Sequence, residues 1–214
     1  MVFNVCPECG AWEVERCIEA AEVDWAVAIC STCGHRMRFR RLPMFVVTGP
    51  SGAGKTTACE RLIHTLPECV VLESDILWGI LEADPDGTYR TYHDVWLQVV
   101  KNINQAGRPV VLIGACMPEQ IETLPERRYL GTIHYLALVC DDDVLAARLR
   151  ARPAWRNSSD DPFVQRTLEF NHWFKRPENQ SDPKVSLLDT SQLNAENIAR
   201  KVSGWVRSAL RHRS

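Results

Sequence analysis

Met44-Phe45-Val46-Val47-Thr48-Gly49-Pro50-Ser51-Gly52-Ala53-Gly54-Lys55-Thr56 is an apolar run feeding directly into G-x-x-x-x-G-K-[ST]. The run suits a buried strand, and Ala58, Leu62, Ile63 and Leu66 beyond the loop keep helical spacing. Strand, glycine-rich loop and helix in this order make an anion cradle. The glycines let backbone N–H groups turn inward, Lys55 reaches the β/γ-phosphates, and the Thr56 hydroxyl is placed to hold Mg²⁺. Gly49, Pro50, Ser51, Gly52, Ala53, Gly54, Lys55, Thr56 and Thr57 are therefore the candidate nucleotide-binding residues.

Beyond this loop, apolar runs alternate with helical patterns. Strands are expected at 70–72, 110–113, 133–139 and 185–188, joining 44–48 to make five. Helices are expected near 55–66, 92–106, 142–152, 161–175 and 194–211; in the last, Ile198, Val202, Trp205, Val206 and Ala209 share one face. Such alternation predicts an α/β fold of three layers, a five-stranded parallel sheet covered on both faces with ligands at the strands' carboxyl ends. Asn157-Ser158-Ser159-Asp160-Asp161-Pro162 reads as an exposed loop.

The chain has 214 residues, 45% hydrophobic and 24% charged, enough for one substantial core and a small appendage. A net charge of −2 is too near neutral for a whole-protein nucleic-acid footprint. No apolar stretch reaches the length of a membrane span and no leader-like segment opens the chain, so no membrane partner and a cytoplasmic location are expected.

Four of the nine cysteines are organised. Cys6-Pro7-Glu8-Cys9-Gly10 and Cys30-Ser31-Thr32-Cys33-Gly34 are two C-x-x-C-G knuckles separated by twenty residues, the spacing of an all-thiolate Zn²⁺ site. A two-residue gap lets both sulfurs of a knuckle face one ion, and the following glycine lets the backbone turn back under it. The β-rich stretch between them is too small to hold a core alone, so metal supplies the stability. The segment resembles a zinc ribbon. A redox dithiol needs only one C-x-x-C in a different setting. His35 lies close to the knuckles, and Cys17, Cys59, Cys69, Cys116 and Cys140 are read as buried small hydrophobes. In His35-Arg36-Met37-Arg38-Phe39-Arg40-Arg41, Arg36, Arg38 and Arg40 share one strand face, either a phosphate-facing strip or a solvated outer face. Leu42-Pro43 is the natural junction, dividing the chain into a ribbon over 1–42 and a nucleotide-binding domain over 43–214.

Over about residues 44–210 the chain resembles the small P-loop kinases, the group of adenylate, shikimate and gluconate kinases and related nucleoside and antibiotic phosphotransferases. Besides the phosphate loop, Leu72-Glu73-Ser74-Asp75-Ile76-Leu77, Asp141-Asp142-Asp143 with Arg148-Leu149-Arg150-Ala151-Arg152, and Leu188-Asp189-Thr190-Ser191 carry the resemblance. It implies ATP and Mg²⁺ as cofactors, with Lys55 the phosphate clamp and Thr56 the Mg²⁺ ligand. Glu73 would be an outer-shell metal partner and Asp75 the group that orients or deprotonates an acceptor hydroxyl. Arg148 would stack on adenine, Arg152 would reach phosphates from the lid, and 188–191 would lie beside adenine. Asp75 is alternatively a helix N-cap, and Asp141–Asp143 read better as caps and dipole partners of the following helix. Arg156 continues the four-residue spacing of Arg148 and Arg152, but Pro153 assigns it to the lid loop.

Trp78, Tyr89, Tyr92, His93 and Trp96 line an acceptor pocket or belong to the core. The expected activity is transfer of the ATP γ-phosphate to a hydroxyl of a small molecule, nucleoside-like or polyol. The alternatives are a kinase of polynucleotide 5′-hydroxyl ends, with nucleic acid as partner, and an ATP-binding regulator or ATPase without transfer.

Overall fold

The computed structural model describes residues 4–156, 158–180 and 182–212. Its first unit is an antiparallel meander of β1 (Cys17–Ala20), β2 (Trp25–Ile29) and β3 (Arg36–Arg40), with Cys17 opposite Ile29 and Trp25 opposite Arg40. Alternation along β3 works as the sequence predicts: Met37 and Phe39 are buried with Ala26, Ala28 and Tyr129, while Arg36 and Arg38 face out. The outward face is not a free cationic strip. Arg36 pairs with Glu19 at 2.6 Å and Arg38 with Glu22 at 2.9 Å, and the Arg38 and Arg40 guanidinium groups lie 4.3 and 4.5 Å from the Trp25 ring centre.

Pro43 leads into β4 (Met44–Thr48), the central strand of the second unit. With β5 (Val70–Glu73), β6 (Val110–Ile113), β7 (Ile133–Val139) and β8 (Val185–Asp189) it forms a parallel sheet in the order β5-β6-β4-β7-β8. Every residue of β4 is buried because both faces are covered. Met44 and Val46 enter a core with Tyr92, Trp96, Leu97 and Val100 of α2 (Arg90–Gln105) and Phe174 of α5 (Asp161–Lys175). Phe45 and Val47 enter the opposite core with Ala58 and Leu62 of α1 (Lys55–Thr65) and Ile198, Val202 and Val206 of α6 (Ala195–Arg211). The predicted three layers are present. A short α3 (Glu119–Glu122) and α4 (Asp142–Arg150) complete the helices, with 3₁₀ turns at Ser74–Leu77 and Pro125–Tyr129.

Of the exposed loop expected over 157–162, Ser158, Ser159 and Asp160 are irregular, with Ser159 and Asp160 exposed, while Asp161 and Pro162 already open α5. Asn157 lies outside the described residues, Ser158 is buried, and Asp160 caps α5 by accepting a 2.7 Å hydrogen bond from the Phe163 amide, with Pro162 in the first turn. The polar run is a short loop whose end supplies the cap of α5. Cys59, Cys69, Cys116 and Cys140 are buried as expected, whereas Cys17 is exposed at the start of an edge strand. Among the described residues, no helix is long and apolar enough to cross a membrane.

Candidate active site and metal centre

The phosphate loop sits at the carboxyl end of β4, where the parallel sheet leaves α1 pointing its N-terminus at the loop's interior. Gly49 has φ +129, and a Cβ there would stand 2.2 Å from the Leu138 carbonyl oxygen, so β7 leaves no room for a side chain. Lys55 Nζ folds back onto the loop, donating to the carbonyls of Gly49 at 2.7 Å and Pro50 at 2.9 Å. Thr56 Oγ1 donates to Glu73 Oε1 at 2.7 Å, placing a hydroxyl beside a strand-end carboxylate.

A cavity of about 370 Å³ opens over this loop. Ser51, Gly52, Gly54, Lys55, Thr56 and Thr57 form its floor, Asp75 one side, Arg148, Arg152 and Arg156 another, and Leu193, Ala195 and Ile198 an apolar edge. Gly49, Pro50 and Ala53 do not line it; the first two hold Lys55 and Ala53 is fully buried beneath. Glu73 stands behind Thr56. A larger open groove, about 1130 Å³, runs between the ribbon and the amino ends of β7 and β8, at the other end of the sheet, and includes no phosphate-loop residue.

Asp75 lies in the 3₁₀ turn after β5, exposed to the cavity. It makes no capping hydrogen bond; the N-cap position belongs to Glu73, which makes none either. The capping alternative for Asp75 therefore has no geometric basis. Asp141 is the N-cap of α4 by backbone conformation alone, and Asp142 accepts from Asn171 and pairs with His172 and Lys175, fastening α4 to α5. Arg148 donates to the Thr190 carbonyl at 2.8 Å, and Thr190 Oγ1 donates to the Ala53 carbonyl at 3.1 Å, so the 188–191 loop is clamped to both α4 and the phosphate loop.

The aromatic set divides. Tyr92, His93 and Trp96 are buried and belong to the core side of α2; burial pulls the His93 pKa down to about 4, leaving it neutral. Trp78 is 57% exposed and its ring lies 4.8 Å from that of Tyr89. Ile76 and Ile80 are likewise exposed, so an apolar strip adjoins Asp75.

Sequence reasoning missed the residues that hold the Asp75 turn. Tyr92 Oη donates to the Ser74 carbonyl at 2.6 Å, and a Cβ on Gly114 would fall 1.7 Å from Ser74 Oγ. A glycine directly after the apolar run 110–113, at a strand's carboxyl end, was the available signal. Cys116 was also missed as a loop anchor: its carbonyl accepts from Thr48 Oγ1 at 2.7 Å, its amide donates to the same hydroxyl at 3.0 Å, and burial pushes its thiol up to about 12.

Burial pulls the Lys55 pKa down to about 8, with Asp75 opposing and Arg152 adding to the shift. Only the ammonium form complements a phosphate. ATP affinity should therefore fall as pH rises through about 8, and binding near that pH should take up protons, because the incoming negative charge restores the ammonium. Calorimetric titration in buffers of different ionisation enthalpy checks this; a heat independent of buffer would contradict it.

At the ribbon, Cys6, Cys9, Cys30 and Cys33 bring four Sγ atoms within 4.8 Å of one another. Gly10 and Gly34 take φ +73 and +74, and each amide donates to the carbonyl of the first cysteine of its knuckle at 2.9 Å. Backbone N–H groups, that of Cys33 foremost, draw the Cys30 thiol down to about 6, toward the thiolate that binds metal. Against the lowering pull of the His35 amide, burial and the three neighbouring thiols push Cys33 up to about 12, a conflict that a divalent cation would relieve. The donor set suits tetrahedral Zn²⁺ without a fifth ligand from His35.

Solved structures share the fold at low identity. A sugar kinase from Janibacter sp. HTCC2649 superposes with a TM-score of 0.55 at 17% identity, covering 78% of this chain and 94% of that one. A gluconokinase from Sinorhizobium meliloti 1021 gives 0.54 at 19%, covering 82% and 99%. A shikimate kinase from Acinetobacter baumannii in complex with shikimate gives 0.53 at 21%, covering 78% and 94%. No curated protein sequence matches the chain significantly. Residues 46–163, more than half of the chain, from the phosphate loop through Arg148, Arg152 and Arg156, match the family model AAA_18, described as an AAA domain, and the chain belongs to that family, on the fold of the P-loop kinases.

Proposed function

We propose that the protein is an ATP-dependent phosphotransferase that moves the γ-phosphate of ATP to a hydroxyl of a small acceptor, nucleoside-like or polyol. The observation that carries this reading is Asp75: an exposed carboxylate in the same cavity as Lys55 and three arginines, engaged in no cap. Phosphoryl transfer needs cations around the equatorial oxygens and one carboxylate at the nucleophile, and this cavity supplies both. Lys55 and Arg152 hold the phosphates, Arg148 and the 188–191 loop border the base, and Asp75 orients the acceptor hydroxyl and takes its proton. Mg²⁺ would be held by Thr56 with Glu73 behind it, a pair of hard oxygen donors, and would neutralise charge on the β- and γ-phosphates. The apolar strip of Ile76, Trp78 and Ile80 favours an acceptor with a flat or apolar face.

The ion pairs Arg36–Glu19 and Arg38–Glu22 weaken the polynucleotide reading, because the face that would track a backbone is already neutralised. Residues 1–42 form the zinc-ribbon domain and 43–214 the phosphotransfer domain. Protein purified without chelator should contain one zinc per chain by elemental analysis; substoichiometric metal would refute the ribbon assignment. The function is tested by ATP consumption and product phosphorylation against nucleosides, polyols and oligonucleotide 5′ ends. Phosphorylation of a small alcohol supports the proposal, phosphorylation of oligonucleotide ends replaces its acceptor, and acceptor-independent ATP hydrolysis alone favours the regulator reading.

A further inference from the structure

The ribbon and the acceptor side of the site are joined by one helix. At its carboxyl end α2 grips the ribbon: Gln105 Nε2 donates to the Arg40 carbonyl at 3.0 Å while the Arg40 amide donates to Gln105 Oε1 at 2.9 Å, so the side-chain amide pairs with β3 as a neighbouring strand would. One turn earlier, Lys101 forms a buried 2.6 Å ion pair with Glu126, reaches Asn4 Oδ1 at 3.3 Å and lies 4.5 Å over the Tyr129 ring, which packs on Phe39. At the amino end of α2, Tyr92 holds the Ser74 carbonyl, and Ser74 is backed by Gly114. Asp75 is the next residue. The metal site closes the circuit from the other side, since Cys30 follows β2 directly and Cys33 stands three residues ahead of β3.

A 16-residue helix is a strut of about 24 Å, stiff along its axis. We propose that the folded ribbon is a positioning element for the acceptor carboxylate. It seats α2 through Gln105, and α2 fixes the Ser74–Leu77 turn through Tyr92. Gln105 and Tyr92 are thus positioning residues, and metal occupancy of the ribbon sets how firmly Asp75 is held while the phosphate loop, built on β4 and α1, is not involved.

This inference rests on reading Asp75 as the acceptor carboxylate, but its test reads the turn itself and needs no acceptor. Hydrogen exchange is followed by mass spectrometry in the full chain, in Gln105→Ala, in Tyr92→Phe and in protein stripped of zinc by chelation. Exchange in peptides spanning 73–78 should rise about tenfold in all three, as loss of one or two hydrogen bonds implies, while peptides over 133–139 and the affinity for ATP stay within twofold of the parent. Gln105→Ala and Tyr92→Phe should both retain zinc. Unchanged exchange over 73–78 in Gln105→Ala and in stripped protein would overturn the proposal, even if Tyr92→Phe alone responded. A uniform rise that includes 133–139 would overturn it too, by showing general destabilisation. Failure of Asp75→Asn to affect transfer would sink the kinase reading but leave this exchange pattern in place, so the two failures are distinguishable.

Discussion

Lys55→Ala should lower phosphate transfer by about 10²–10³-fold and weaken ATP binding, the weight of a preorganised charge lost from a phosphate site. The variant removes a cation fixed by two carbonyls 2.7 and 2.9 Å away, and a water molecule entering the space has neither charge nor orientation to replace it. Folding should not suffer in parallel. A lysine whose pKa is drawn down to about 8 by burial is an electrostatic cost to the empty protein, so the thermal midpoint should hold or rise while function collapses. Titration with ATP and Mg²⁺ alongside turnover and thermal denaturation checks all three quantities. Unchanged affinity together with unchanged turnover would remove Lys55 from the site.

Asp75→Asn should leave ATP affinity near the parent value and cut transfer by about 10²–10⁴-fold, the usual contribution of a positioned general base. Asparagine keeps the volume but its amide cannot take the acceptor's proton and brings no negative charge near the metal. Because Asp75 makes no capping hydrogen bond, the substitution has no helix terminus to weaken, and the thermal midpoint should not move. The result separates a kinase from an ATP-dependent switch. A switch would hydrolyse ATP equally well in parent and variant, whereas full transfer activity in the variant would overturn the assignment of Asp75.

The fold was legible because its signals are local. Five apolar runs, each short and separated by helical spacing, place the strands of the sheet, and β4 reads as continuous apolar because both its faces are covered. The phosphate loop was legible because an anion cradle depends on consecutive backbone groups, which a linear motif records. What escaped depends on partners far along the chain. Tyr92 meets Ser74 across 18 residues, Gln105 meets Arg40 across 65, and the Arg36–Glu19 pair that neutralises the basic strip reaches from β3 across β2 to β1. Periodicity assigns a residue to a face but not to a neighbour, so Trp96 as pocket wall and Trp96 as core residue looked alike until α2 was packed.

The ribbon's inner face has a consequence for how the chain is made. Its knuckles and three strands lie within the first 40 residues, so they can form soon after leaving the ribosome, when Met37 and Phe39 have Ile18, Ala26 and Ala28 beside them but not Tyr129. Tyr129, which completes that cluster, is synthesised about ninety residues later, an interval of roughly 5–20 s at ordinary elongation rates. For that time the ribbon's inner apolar face lacks the Tyr129 that completes it, and β4 follows after only a short joint. Docking of the ribbon is thus an event of late synthesis, closed when α2 and the turn at Pro125–Tyr129 arrive, and until then this face is the surface that a nascent-chain chaperone would meet.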